Sequence, residues 1–298
     1  MPSKTFFFLY GAQKSGTTWL SKHLLETDQI YNAGVKEWRL WESYFSSDHD
    51  RSEGIKRVKQ RIQSNIDRGA IGETRKFEKR LKMRQDPEIF LRASAKIVTS
   101  SNRYHVLADF TPSTGIALNE SQLRSMSMLV QELGLSPKAL YLLRDPLQRA
   151  VSELSMLVGN GRRSSFRIHE KPETEEYSRE MDRIIENNVG RLTYRSRSEV
   201  IIERARAMEA SIPFQTIIFD ELFSQKTLDR VARFLSLEKI NIDQERINHH
   251  DTPQLSEASL RSLALSLRPT YQYLKSYFGD QKFPHSWSKS LDYFNGDL

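Results

Sequence analysis

Lys14, Ser15, Gly16, Thr17 and Thr18 are consecutive, and together they offer a cation, hydroxyls and a glycine to whatever binds beside them. Those types suit an oxyanion: lysine as a point charge, hydroxyls as donors, and a glycine that lets the backbone come close. Far along the chain, Arg144 and Ser152 stand eight residues apart in the run RDPLQRAVS. An arginine fork donates two parallel hydrogen bonds to a phosphate, so this is a second candidate anion contact; Arg144 beside Asp145 also reads as a structural ion pair. A third run, Lys36 to Glu42 (KEWRLWE), mixes charge with two tryptophans. Its bland reading is a surface loop anchored by Trp38 and Trp41, with Lys36 and Glu37 in water; its functional reading has the tryptophans surround Glu37 with apolar groups that raise its pKa.

The flanking sequence tells how the first of these runs is held. Thr5 to Tyr10 is apolar and aromatic without alternation, as in a short strand buried on both faces of a parallel sheet, and Gly11 ends it. After Gly16 the apolar residues Trp19, Leu20, Leu24 and Leu25 recur at helical spacing, so Gly16, Thr17 and Thr18 open a helix. Unpaired N–H groups and the helix dipole favour an anion at that point. The loop departs from the nucleotide-loop signature G-x-x-x-x-G-K-[ST], because Thr17 holds the lysine's position and Lys14 lies inside the loop.

Other elements must carry the remaining residues. Tyr31 to Val35 is expected as a second strand that delivers Lys36 to Glu42 to the sheet's edge. Tyr104 to Asp109 reads as a strand ending in the turn Phe110 to Gly115, and Lys138 to Leu143 as one that leads into Arg144, with Pro146 opening the next helix. Phe214 to Phe219 is the last strand, followed by Asp220, Glu221 and a helix from Thr227 to Leu235. Helical patterns lie between: Ile55, Val58, Ile62 and Ile66 up to Gly69, a start at Asp86-Pro87-Glu88, Asn119 to Leu133 up to Gly134, and the charged stretch Glu173 to Asn188. Such alternation predicts an α/β protein with a central, mostly parallel sheet flanked by helices, whose ligands collect beyond the carboxyl ends of the strands. One domain is expected over residues 1–298. It would include a mobile insertion near 159–178 and, within 256–298, a C-terminal helix from Glu257 to Phe278 and an aromatic tail.

The chain carries 45 Lys plus Arg against 38 Asp plus Glu, a formal charge of +7, so its surface attracts anions on balance. A multiply charged nucleotide fits, and so would nucleic acid. The basic residues of Arg51 to Arg84, however, alternate with Glu53, Asp67, Glu73 and Glu78, the pattern of a solvated helical face, and no nucleic-acid motif is present. No apolar run nears the ~20 residues of a membrane helix, and Phe6 to Phe8 is too short for a signal-peptide core. The absence of cysteine excludes disulfides and thiolate metal sites and fits a reducing cytoplasm. His249-His250-Asp251 is the one metal-like run; adjacent histidines in a polar loop are ordinarily solvated, so no metal is expected.

Two of these runs resemble one family. GAQKSGTTWL is similar to the 5′-phosphosulfate-binding loop of sulfotransferases that use 3′-phosphoadenosine 5′-phosphosulfate (PAPS), and ALYLLRDPLQRAVS is similar to that family's 3′-phosphate motif. DFTPST from Asp109 and the passages Ile218 to Phe223 and Phe234 to Leu237 resemble further family segments, with Phe110 where a lysine is frequent. The resemblance runs discontinuously from about Thr5 to Leu237. It implies a P-loop-like sulfotransferase fold, nearest in motif to carbohydrate-type and bacterial members. It also implies PAPS as co-substrate and transfer of the sulfuryl group to a hydroxyl or amine of a small-molecule, glycan or lipid acceptor. By the same resemblance Lys14, Ser15, Gly16, Thr17, Thr18 and Trp19 hold the nucleotide with Arg144 and Ser152; Lys14 steadies the leaving phosphate and Glu37 is the catalytic base. Asp109 at a strand's end, His23 in the first helix, His49 in a charged loop and His105 near a strand's start compete for that last role. No R-K-G segment closes over the 3′-phosphate, and Arg246 to Thr252 is the candidate substitute.

Two rivals stand beside this reading. Ile217 to Glu221 has the apolar-then-acidic look of a magnesium strand in a P-loop kinase or ATPase, but that class needs lysine at Thr17. A non-catalytic nucleotide- or nucleic-acid-binding module would keep the loop and have no use for Glu37.

Overall fold

Every residue of β1, Thr5–Gly11, is buried, and its side chains divide between two cores. Phe6, Phe8 and Tyr10 pack with Trp38, Trp41, Leu107 and Tyr141, whereas Phe7 and Leu9 pack with Trp19, Leu20, Ala108 and Leu142. Successive side chains of a strand point to opposite faces, so a strand walled on both sides has no polar face to show, and its sequence does not alternate. The computed structural model describes residues 4–159, 175–242, 255–279 and 282–294. In it β1 is the middle of five parallel strands, ordered β2 (Ile30–Tyr31), β3 (Val106–Asp109), β1, β4 (Ser136–Leu143), β5 (Phe214–Ile218).

Register brings the functional ends together. Phe8 pairs with Asp109, the last residue of β3, and Gly11 pairs with Tyr141 of β4 after a shift in register past Leu9. The chain from β1 goes out to β2 and returns through β3 on one side, whereas β4 leads to β5 on the other, so the crevice beyond β1 and β4 lies where the strand order reverses.

Helices cover the sheet: α1 (Thr17–Leu25) follows β1, and α2 (Leu40–Tyr44), α3 (Asp48–Asp67), α4 (Ile71–Gln85) and α5 (Pro87–Thr99) fill the long connection from β2 to β3. Next come α6 (Thr114–Ala117), α7 (Glu120–Glu132) and, after β4, α8 (Pro146–Gly159). Then α9 (Glu175–Glu186), α10 (Val189–Ser196) and α11 (Ser198–Met208) precede β5, and α12 (Gln225–Leu235) follows it. The stop and start signals act as written: Gly69 takes a φ of 68° after α3, and Asn119 and Gln122 form a capping box at α7.

Three expectations are corrected. β2 stops at Tyr31, not Val35, because Asn32 Oδ1 accepts from the N–H of Gly34 and Ala33 and Gly34 take φ values of 55° and 69°, a turn that no strand continues through. Glu257 to Phe278 is two helices, α13 (Glu257–Ser266) and α14 (Arg268–Phe278), since Pro269 in the first turn of α14 cannot donate to the turn before it. His49 lies in α3 and not in a loop. The aromatic tail does pack back: Trp287 is buried edge-on to Phe278 and Phe283, and its indole N–H reaches Asp220 Oδ2 at 3.3 Å. Of the insertion expected near 159–178, residues 160–174 lie outside the described residues, as do Arg246 to Thr252 and His249-His250-Asp251, whereas Gly159 ends α8 and 175–178 open α9.

Candidate functional site

The turn from β1 into α1 is shaped so that little but its own sequence fits. Gly11 and Gly16 have φ values of 136° and 82°; a Cβ on Gly11 would stand 2.8 Å from the carbonyl oxygen of Pro112, and one on Gly16 would collide with Leu222. Between them Lys14 also takes a positive φ, 69°. The N–H of Ala12 donates to Leu142 O at 2.9 Å, tying the loop to β4. Gly16 caps α1 without any side-chain hydrogen bond, so the first N–H groups of the helix, on Thr17 and Thr18, have no partner inside it. The Ser15 hydroxyl is fully buried and has no partner among the described residues. Donors without acceptors among the described residues, gathered at the positive end of a helix, form a cradle suited to an oxyanion.

Burial first, and then the nearby Arg144 guanidinium, push the Lys14 ammonium below the ordinary lysine range, with Glu153 opposing. Trp19 contributes differently from its neighbours. Its indole is buried, tilted against His23 at 4.0 Å with Phe223 edge-on at 5.1 Å, so its side chain belongs to the core.

Arg144 stands just past β4 and turns toward the loop. Its Nη1 donates to Lys14 O at 2.8 Å, its guanidinium lies 4.5 Å above the Phe219 ring, and its Nε is buried without a partner. Asp145 faces the other way, accepting from the N–H of Gln148 at 3.0 Å and the hydroxyl of Tyr271 at 2.7 Å. The two neighbours thus separate: Asp145 caps α8, and Arg144 joins the cradle. Ser152 lies half-buried on α8.

Glu37 is placed by its flanks. Lys36 O accepts from Phe110 N at 3.2 Å, Trp38 N donates to Asp109 Oδ1 at 3.2 Å, and Arg39 N donates to Thr111 Oγ1 at 3.0 Å. The segment is laced to the carboxyl end of β3 although no strand carries it there. Lys36 Nζ then donates to Thr18 Oγ1 at 2.7 Å, so the Glu37 loop touches the anion cradle directly. The carboxylate itself lies 3.8 Å from Lys36 Nζ and 3.6 Å from Arg39 Nη2. Trp38 and Trp41 point away into the core against Phe6, correcting the expectation that they surround Glu37 with apolar groups.

The competing candidates for the base sit in different surroundings. Asp109 is fully buried; its Oδ1 accepts from Trp38 N, Thr111 N and Thr111 Oγ1, while its Oδ2 has no partner. Burial pushes its carboxyl up to about 7 against the pull of the Thr111 and Trp38 hydrogen bonds. His23 is buried with Nδ1 2.9 Å from Trp19 O, and His105 sits where β3 begins. Asp220 accepts from Ser286 and Trp287 of the tail, an engagement that leaves a kinase-like reading of Ile217 to Glu221 without support.

Two contributors were not foreseen. One is Lys36. The other is a buried network behind the cradle: Glu153 receives Arg149 at 2.9 Å, Arg191 at 3.0 Å and Arg195 at 2.8 Å, and Arg195 also donates to Gln13 Oε1 at 2.7 Å. The i, i+4 spacing of Arg149 and Glu153 on α8 was the only trace of it in the sequence.

With the geometry in hand, comparison with known proteins is specific. The sulfotransferase domain family matches residues 4–252, so the chain belongs to the sulfotransferase family. The fold is that of a sulfotransferase as well: the crystal structure of a sulfotransferase from Alicyclobacillus acidocaldarius superposes with a TM-score of 0.57 at 16% identity, covering 96% of this chain and 99% of that one. No curated protein sequence matches.

Proposed function

We propose that this sulfotransferase takes its sulfuryl group from PAPS and delivers it to an acceptor hydroxyl or amine, with Glu37 as general base. When bound, PAPS supplies an activated sulfuryl group and a phosphate that leaves. The residues present suit such a polyanion: Ser15 Oγ and Arg144 Nε are buried donors that lack acceptors among the described residues, and the glycines leave no room for side chains where the backbone must approach. Lys14 and the N–H groups of Gly16, Thr17 and Thr18 would hold the phosphate whose charge grows as the bond to sulfur breaks. Arg144, with Ser152, would hold the nucleotide's other phosphate. Glu37 would take the proton that the acceptor loses as it attacks.

The observation that supports this reading most is the contact of Lys36 with Thr18, because it joins the Glu37 loop to the cradle, as a base acting beside a bound anion would require. Lacking cysteine, the chain also suits a reducing compartment such as the cytoplasm. The test is twofold: binding of adenosine 3′,5′-bisphosphate (PAP) by calorimetry, and transfer of radiolabel from PAPS across phenol, sugar, lipid and amine acceptors. PAP should bind and label should move without added metal. A chain that neither binds PAP nor consumes PAPS ends the proposal.

A further inference from the structure

Glu37 sits among cations. Lys36 and Arg39 flank it at 3.8 and 3.6 Å, and α4 brings two more. Lys79 donates to Ala33 O at 3.2 Å and Ser43 Oγ donates to Arg84 O at 3.3 Å, so α4 runs along the 33–43 segment and presents Arg80 and Arg84, one turn apart, to it. Arg80 lies within electrostatic reach of Glu37 and Arg39, and Arg84 within reach of Arg39, Glu42 and Arg80.

The local carboxylates do not balance them. Against Lys36, Arg39, Arg80 and Arg84 stand Glu37 and Glu42, while Glu73, the other acid near Arg80, is bonded to Lys76 at 2.7 Å. Arg84 gives one nitrogen to Gly54 O at 3.1 Å; the Arg80 guanidinium lies 5.3 Å from the Phe77 ring, and its buried Nε has no hydrogen-bond partner among the described residues. Partly buried guanidinium groups gathered without matching anions repel one another and lose solvation, and a bound oxyanion relieves both. Arginine rather than lysine supplies three of the four charges, which suits the planar edge of a carboxylate or sulfate.

Resting on the sulfotransferase reading above, we propose that the acceptor hydroxyl is borne by a molecule that also carries an oxyanion, a carboxylate or a sulfate ester, and that Arg39, Arg80 and Arg84 hold that group while Glu37 meets the hydroxyl. The face of α4 that meets the 33–43 segment is then the acceptor-recognition element, and the charge of the acceptor is a specificity determinant independent of the nucleotide cradle.

The probes are a short oligogalacturonate and its carboxyl-reduced form, which keeps the hydroxyls and loses the charges. Binding of each to the full chain is measured by calorimetry with and without PAP. The acidic form should bind about tenfold more tightly or better, and Arg80→Gln/Arg84→Gln should remove most of that preference while PAP affinity stays unchanged. Arg75→Gln, an exposed change on the same helix, should leave the preference intact, and Arg80→Lys should restore it only in part. Equal binding of the two probes by the unaltered chain overturns the proposal, as does a preference that survives in the folded double variant. The nucleotide is read separately. Failure to bind PAP with the acid preference intact refutes PAPS use and keeps the anion site, whereas PAP binding without the preference refutes only the anion site.

Discussion

The cradle between β1 and α1 is made by one short consecutive run, whereas the loop that carries Glu37 is fastened by partners 71 and 72 positions away. In the cradle the backbone itself makes the shape, so positive φ values and close approach dictate glycine at Gly11 and Gly16. In the Glu37 loop the fasteners are a carboxylate, a hydroxyl and peptide groups, which many residue types could replace. A fixed ligand feature read by backbone leaves a signature in the chain; a variable one read by assembled side chains does not. The same contrast separates what a sulfotransferase must share with its relatives from what its acceptor alone requires.

The largest effect should come from the assembled side. Glu37→Gln keeps the shape and removes the base, so turnover should drop by about 10²–10⁴ with PAP affinity nearly intact, read from transfer rates and calorimetry on one preparation. A variant that keeps its turnover would mean that the long-range fastening of this loop serves packing alone.

This contrast also explains what could be read in the sequence. The burial of Thr5 to Tyr10, the helix start at Gly16 and the strand leading into Arg144 all follow from local pattern, and each is where the pattern put it. The partners of the Glu37 loop were hidden because no periodicity joins Trp38 to Asp109 or Arg39 to Thr111. Tyr31 to Val35 misled for a related reason. Its apolar ends suggested a strand, but Asn32 and Gly34 made a local turn, and the segment reached β3 through side-chain hydrogen bonds instead of a ladder. The buried Glu153 cluster was illegible beyond one i, i+4 pair, since its other arginines come from α10.

On the cradle side the expected losses are smaller and more specific. Lys14→Ala should cost about 10²–10³ in turnover, as for removing one preorganised donor from a developing charge. Lys14→Arg should rescue little, because a wider fork must fit a loop already held by Arg144 at Lys14 O. Since burial and Arg144 lower the Lys14 ammonium, raising the pH should remove its charge, and the turnover that depends on it, sooner than for an exposed lysine. Arg144→Ala should weaken PAP by about one to two orders of magnitude, from a charge-assisted bond of roughly 1.5–3 kcal/mol. The loss should be much smaller for the analogue without the 3′-phosphate; equal losses for both would make Arg144 a purely structural tie to the loop.

The smallest effect is expected at Asp109, where the comparison is sharpest because the residue belongs to both sides: it ends β3 and holds the Glu37 loop. Its Oδ1 already accepts three hydrogen bonds, so a proton on this carboxyl belongs on the unpartnered Oδ2. An acid whose folded pKa is raised holds its proton in the native state after the unfolded chain has lost it. Stability therefore falls as pH rises from about 4, the unfolded value, to about 7, the folded one, and is level above that. Asp109→Asn imitates the protonated form, keeping Oδ1 as acceptor and placing an N–H group at Oδ2. Thermal melts from pH 4 to 7 should consequently show a flatter decline in the variant than in the unaltered chain, and transfer should stay within roughly an order of magnitude. If Asp109→Asn instead abolishes transfer with PAP still bound, while Glu37→Gln remains active, the proton passes to Asp109. The loop around Glu37 would then be a brace for the true base.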